Sequence, residues 1–112
     1  MTDCIFCRIV SGDIPSDLVH SDDDVVAFRD LNPQAPEHVL VIPREHVADW
    51  TDLAQSAPHL AAPLVRAAAA VAGTLGLDSY RVVANRGSGA GQTVLHLHLH
   101  VLGGRDLTWP PG

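Results

Sequence analysis

A chain of 112 residues that is 46% hydrophobic and 18% charged has room for a single core and too little charge to remain disordered. Thirteen acidic residues against seven basic ones give a net charge of −6, and every basic residue is Arg, so the chain offers no basic face for nucleic acid. No apolar run approaches the roughly 20 residues of a membrane helix, and the opening Met1-Thr2-Asp3-Cys4 lacks the features of a secretory signal, which makes the cytoplasm the expected location.

In chain order, apolar Ile5, Phe6, Ile9 and Val10 predict a short amphipathic helix over 4–10, ended by Ser11-Gly12 and Pro15. Strands are expected over 17–21 and 25–29, with Asp22-Asp23-Asp24 as their hairpin turn. After a Pro-rich loop at 31–36, branched apolar residues predict a strand over 38–42, stopped by Pro43. Residues 49–53 read as a helical turn. Ser56 is the expected cap of a main helix over 57–75, with Leu60, Leu64, Ala67, Val71 and Leu75 on one face. Pro63 conflicts with that helix and predicts a kink or a later start. Gly76 suits its end, and strands are expected over 80–85 and 94–102. The order β-β-β-α-β-β is that of an α+β domain with an antiparallel sheet, one domain over 1–112.

Chemistry concentrates in the last strand. Leu95, Leu97, Leu99 and Val101 alternate with His96, His98 and His100, so a strand would send the leucines to a core and align the imidazoles about 7 Å apart on the other face. A neutral imidazole offers a nitrogen lone pair that can bind a metal or attack an electrophile; the ring can also hold an anion. Just before this strand, Gly87, Gly89 and Gly91 allow close backbone approach to a ligand, followed by Gln92 and Thr93. No Lys follows and the next element is a strand, so this is no P-loop. Cys4 and Cys7 form a C-x-x-C pair that reads as thiolates rather than a disulfide. As half a zinc site it needs two more ligands, for which His20, His38, His46, His59 and the strand histidines are candidates. His38, directly after the Pro-rich loop, is a candidate site-facing side chain.

The run His96-Leu97-His98-Leu99-His100-Val101-Leu102 resembles the signature of the histidine-triad nucleotide-binding family. Further likeness lies in Ala27-Phe28-Arg29-Asp30, Pro33-Gln34-Ala35-Pro36-Glu37-His38, Leu40-Val41-Ile42-Pro43 and Val83-Ala84-Asn85. Gly103-Gly104-Arg105 and Trp109-Pro110-Pro111-Gly112 resemble the Hint branch. The resemblance implies a homodimer, its sheet continued across two subunits, that hydrolyses purine nucleoside 5′-phosphoramidates. It implies His98 as the nucleophile, His100 as a phosphate contact and Thr93 as a hydroxyl near phosphate and leaving group, where the family usually has Ser. Asp30 would hold the ribose. Ile5, Phe6, Ile9, Phe28 and Leu31 would line the base pocket, with Asn85, Gly91 and Gln92 around the phosphate. Trp109 lies in a tail that reaches the partner's site. Many bacterial relatives hold structural zinc at the positions of Cys4, Cys7, His46 and His96, whereas animal Hint proteins generally lack the cysteine pair, so this chain combines zinc ligands with the Hint tail. No organic cofactor is expected, and the partner is a purine nucleotide such as an AMP or GMP conjugate. Two other readings of the residues stand beside this one: a zinc-dependent hydrolase using strand histidines, and a nucleotide-binding regulatory module with weak activity.

Overall fold

The computed structural model describes residues 3–112. Helix α1 (Ile5–Ser11) is capped by the Cys4 sulfur, which accepts the Cys7 N–H at 3.4 Å, and ends where Gly12 takes φ +87. Strands β1 (Leu18–Ser21) and β2 (Val25–Arg29) form the expected hairpin, in which one oxygen of Asp22 accepts the N–H groups of Asp24 and Val25, both at 2.8 Å. Strand β3 (Glu37–Pro43) follows, then helices α2 (Trp50–Ser56) and α3 (Ala61–Thr74), and strands β4 (Tyr80–Val83) and β5 (Leu99–Gly103). The sheet order is β1-β2-β3-β5-β4, with every neighbouring pair antiparallel.

The sheet is covered on both faces. Val25, Ala27, Val39, Val41, Leu97, Leu99 and Val101 pack with Leu64, Ala67, Ala68 and Val71 of α3. On the other face, Val26, Phe28, Leu40 and Ile42 pack with Phe6 of α1. Strands β2 and β3 feed alternate residues to the two cores, so they read as continuous apolar runs.

Three boundaries differ from expectation. Ser56 does not cap the main helix; it is the last residue of α2, whose cap is Asp49, accepting the Asp52 N–H at 2.9 Å. Residues 58–60 make a separate 3-10 turn, and α3 starts only at Ala61. That start puts Pro63 in the first turn, where a missing N–H costs nothing. Strand β4 stops at Val83 instead of continuing to 85.

The third difference bears on the site. Strand β5 begins at Leu99, not at 94, and Leu95 is 68% exposed instead of facing the core. The pairing of β5 with β3 starts at Leu99 opposite Val41. Two residues further along β3 stands Pro43, which has no N–H to extend the ladder. Leu97 N–H turns instead to the Val47 carbonyl at 2.6 Å. Leu97, Leu99 and Val101 still enter the core, and His96 and His98 still face α1, whose Phe6 ring meets theirs edge-on at centroid distances of 5.9 and 5.1 Å.

Candidate active site and metal cluster

A cleft of about 290 Å³ opens between α1, the end of β2 and the His98–His100 segment. Ile5, Phe6, Ile9, Phe28 and Leu31 form apolar walls, and Asp30, Thr93, His98 and His100 supply polar groups. Ile14, Pro15, Leu40 and Val94 also line it. Sequence reasoning missed these, as it did Ser16, Asp17 and Arg29, although Leu40 shares a face of β3 with His38 and could have been found from that spacing.

Hydrogen bonds assign the protons on the imidazoles. Nδ1 of His98 lies 2.8 Å from the carbonyl oxygen of His96. A carbonyl only accepts, so Nδ1 carries the hydrogen and, in the neutral ring, Nε2 keeps the lone pair. His38 is buried and receives the Gln34 N–H on Nδ1 at 3.0 Å. Its hydrogen therefore sits on Nε2, which donates to Nδ1 of His100 at 2.9 Å and lies 3.4 Å from Asp30 Oδ2. With Nδ1 accepting, His100 carries its hydrogen on Nε2. Burial holds the His100 pKa down to about 4, and the neighbouring His98 and His38 add to the effect. Burial also lowers that of His38, against the pull of Asp30. Both rings are neutral at pH 7.

The residues expected around the phosphate divide. Thr93 lines the cleft; Asn85, Gly91 and Gln92 do not. Gly91 takes φ +96, and the Asn85 amide lies beside it. Gln92 is buried with its side chain turned inward. Its Oε1 accepts the Gly87 N–H at 2.9 Å, and its Nε2 donates to the carbonyls of Ala48 at 2.9 Å and Val94 at 3.0 Å. Trp109 is 82% exposed on the C-terminal tail, outside the cleft lining.

A second cluster lies beside the first. The ligating atoms of Cys4, Cys7, His46 and His96 all fall within 4.8 Å of one another. Nδ1 of His96 is 3.3 Å from the Cys4 sulfur and 3.5 Å from that of Cys7, which is 3.3 Å from Nδ1 of His46. A tetrahedron with zinc–nitrogen and zinc–sulfur bonds has edges of roughly 3.3–3.8 Å, the range of these three separations, so the donor set suits zinc. Fully buried His96 donates from Nε2 to the Pro43 carbonyl at 2.9 Å, which leaves Nδ1 as the lone pair aimed at the sulfurs. Burial first, with His46 and His98 adding, lowers its pKa to about 4 and keeps that lone pair available. His20 and His59 stand elsewhere, against Asp22 at 2.7 Å and Glu45 at 3.6 Å.

A further cavity, of about 550 Å³, is lined by no imidazole, thiol or carboxylate. It is an apolar groove between α3 and the edge strand β4, where Val65, Tyr80 and Val82 are exposed. Among the described residues no helix is long and apolar enough to cross a membrane.

Comparison with known proteins agrees with this arrangement. The HIT domain family matches residues 11–107. The chain is 47% identical over 111 residues to an uncharacterised HIT-like protein of Synechococcus elongatus, covering 98% of this chain and 97% of that one. It is 47% identical over 113 residues to a 14 kDa zinc-binding protein of Zea mays, covering 96% and 87%. The crystal structure of a HIT family hydrolase from Legionella pneumophila superimposes with a TM-score of 0.94 at 46% identity, covering 98% of this chain and all of that one. By sequence and by fold alike, the chain belongs to the HIT domain family.

Proposed function

We propose that the protein hydrolyses purine nucleoside 5′-phosphoramidates, or related nucleotide conjugates, through a covalent nucleotidyl-His98 intermediate. The observation that carries this reading is the 2.8 Å bond from His98 Nδ1–H to the His96 carbonyl, which leaves Nε2 as a lone pair on a ring lining the cleft. Nε2 attacks the α-phosphorus, the phosphorus–nitrogen bond breaks, and the amine departs with that electron pair and a proton taken from solvent. Water then attacks the same phosphorus and gives a proton back to solvent, the phosphorus–imidazole bond breaks with its electron pair returning to Nε2, and nucleoside monophosphate is released. Splitting one displacement into two is the gain from a covalent nucleophile. His100 donates from Nε2 to a phosphate oxygen. Asp30 accepts from the ribose hydroxyls, the apolar walls take the base, and the Thr93 hydroxyl lies beside the leaving group. Asn85, Gly91 and Gln92 shape the phosphate loop from behind.

Cys4, Cys7, His46 and His96 hold a structural zinc in this reading. Four protein donors leave no open position, so the ion supplies cross-linking rather than chemistry. A second copy of the chain covers the apolar groove and pairs with the β4 edge, an unpaired strand being a ready template for another; its Trp109 tail then reaches across. The cytoplasm is the proposed location.

A metal-dependent reading has one observation in its favour: Asp30, His38 and His100 also bring three ligating atoms within 4.8 Å. Mass spectrometry of a quenched reaction with adenosine 5′-phosphoramidate separates the two. The covalent route gives a nucleotide attached to His98 and almost no turnover in His98→Ala. Full turnover in that variant would end the covalent reading.

A further inference from the structure

Beyond Gly103 the chain leaves β5 and turns back over the loop of residues 31–36. Two contacts fasten it there. Gly104 has φ +90, and a Cβ on it would meet the Pro36 Cβ at 3.0 Å, so a glycine lets the two backbones lie this close. Arg105 then spans the gap with a fork: Nη2 and Nε donate to the Gln34 carbonyl at 3.0 and 3.3 Å, and Nη1 donates to the Asp106 carbonyl at 2.9 Å. Arg105 is exposed, makes no ion pair among the described residues and does not line the cleft. Nothing in the proposed reaction uses it.

The residue it grips helps to set the state of the imidazole chain, together with Asp30, whose Oδ2 lies 3.4 Å from His38 Nε2. Gln34 N–H is the donor that occupies His38 Nδ1 at 3.0 Å, and His38 in turn occupies His100 Nδ1 at 2.9 Å. The loop's other hydrogen bonds are Asn32 N–H to Asp30, the Gln34 side-chain amide to the Asn32 carbonyl and, at its base, Asp30 N–H to the His38 carbonyl; Ala35 is buried beside them, and none of these bonds is made to the Gln34 carbonyl. We infer that Arg105 is a positioning residue: by holding the Gln34 carbonyl it restrains the backbone dihedrals of Gln34, steadies the preceding N–H on His38 Nδ1, and so keeps His38 in its Nε2–H form and the Nε2–H of His100 directed at the cleft. The inference rests on the phosphate-donating role proposed for His100. With the fork gone, His38 gains its second tautomer, Nδ1–H with Nε2 accepting. His100 must then place its hydrogen on Nδ1, and its Nε2 turns a lone pair toward the phosphate oxygens. That exchange replaces an attraction in the transition state by a repulsion.

The test compares Arg105→Ala and Arg105→Lys with the parent protein. Long-range ¹⁵N–¹H NMR reads the tautomers of His38 and His100 without substrate, and steady-state kinetics on adenosine 5′-phosphoramidate reads kcat and KM. The parent shows single Nε2–H tautomers. Arg105→Ala shows mixtures at both rings, with kcat down roughly tenfold and KM within about twofold, because a misaligned donor is lost mainly in the transition state. Arg105→Lys, with one donor in reach of the carbonyl, recovers part of both effects. Unchanged tautomers in Arg105→Ala, or a kcat within twofold of the parent, would overturn the inference. A parent without turnover would instead sink the hydrolase reading, and a tautomer shift in Arg105→Ala would still support the positioning role.

Discussion

His98 and His96 are joined through opposite chemistry: the ring of His98 donates to the backbone carbonyl of His96 at 2.8 Å, while the ring of His96 turns the other way, to the two cysteine sulfurs. The proposed nucleophile is thus oriented by the main chain of a proposed metal ligand. Orientation of this kind survives changes in the ligand's ring only as far as the main chain stays in place.

Protein purified without chelator should contain one zinc per chain by elemental analysis. Cys7→Ser should lose it and lower Tm by at least about 5 °C, the shift that roughly 1 kcal/mol produces in a domain of this size. Its turnover should fall as well, since the His96 carbonyl is then less firmly placed. Protein free of zinc with unaltered Tm and turnover would refute the structural site.

Acid should weaken the fold through His100. Its folded pKa is about 4 against an ordinary value of 6.5, so the unfolded chain takes up the proton first as pH falls. The stability it contributes is complete above about pH 6.5 and is lost between there and pH 4. His38 is shifted in the same direction by its burial. Denaturant titrations from pH 7 to pH 4 should show unfolding free energy declining with pH, and His100→Gln should flatten the decline. An equal slope in the variant would contradict the assignment.

Gln92→Ala removes the amide that holds Gly87, Ala48 and Val94 together. A half-buried N–H and two half-buried carbonyls lose their partner, at a cost of about 1–2 kcal/mol. Turnover should drop too, because Thr93 rides on the loosened segment. Chemical denaturation and kinetics measure the two effects; a neutral variant would show that the amide is not structural.

Sedimentation should find the parent as a dimer and Val82→Glu as a monomer. Val82 is 46% exposed on the β4 edge and borders the apolar groove. A buried, unpaired carboxylate at such an interface is disfavoured by several kcal/mol. A variant that still sediments as a dimer would place the interface elsewhere.

Local chemistry made much of the fold readable. Asp22 announces its turn because a short carboxylate caps two N–H groups, and Pro63 warned that the main helix starts late. The start of β5 was hidden because Leu95 to Val101 alternate in the same way whether or not a neighbouring strand pairs with them. What ends the ladder is Pro43, far away in sequence. Ser56, two residues before Pro58, resembles a helix start, yet Asp49 is the residue that caps, and it caps α2. The zinc and triad candidates could be named by spacing and resemblance. The path from Gln34 through His38 to His100 could not, since it depends on which way one loop peptide faces.

The seven-residue α1 is too short to persist as an isolated helix. It is held to the sheet by Phe6, packed on Val26, Phe28, Leu40 and Ile42, and at its leading end by the sulfurs of Cys4 and Cys7 beside His96. If zinc is held there, its removal should loosen α1 while the strands keep their amide protons, so deuterium exchange would report an opened cleft well before global melting.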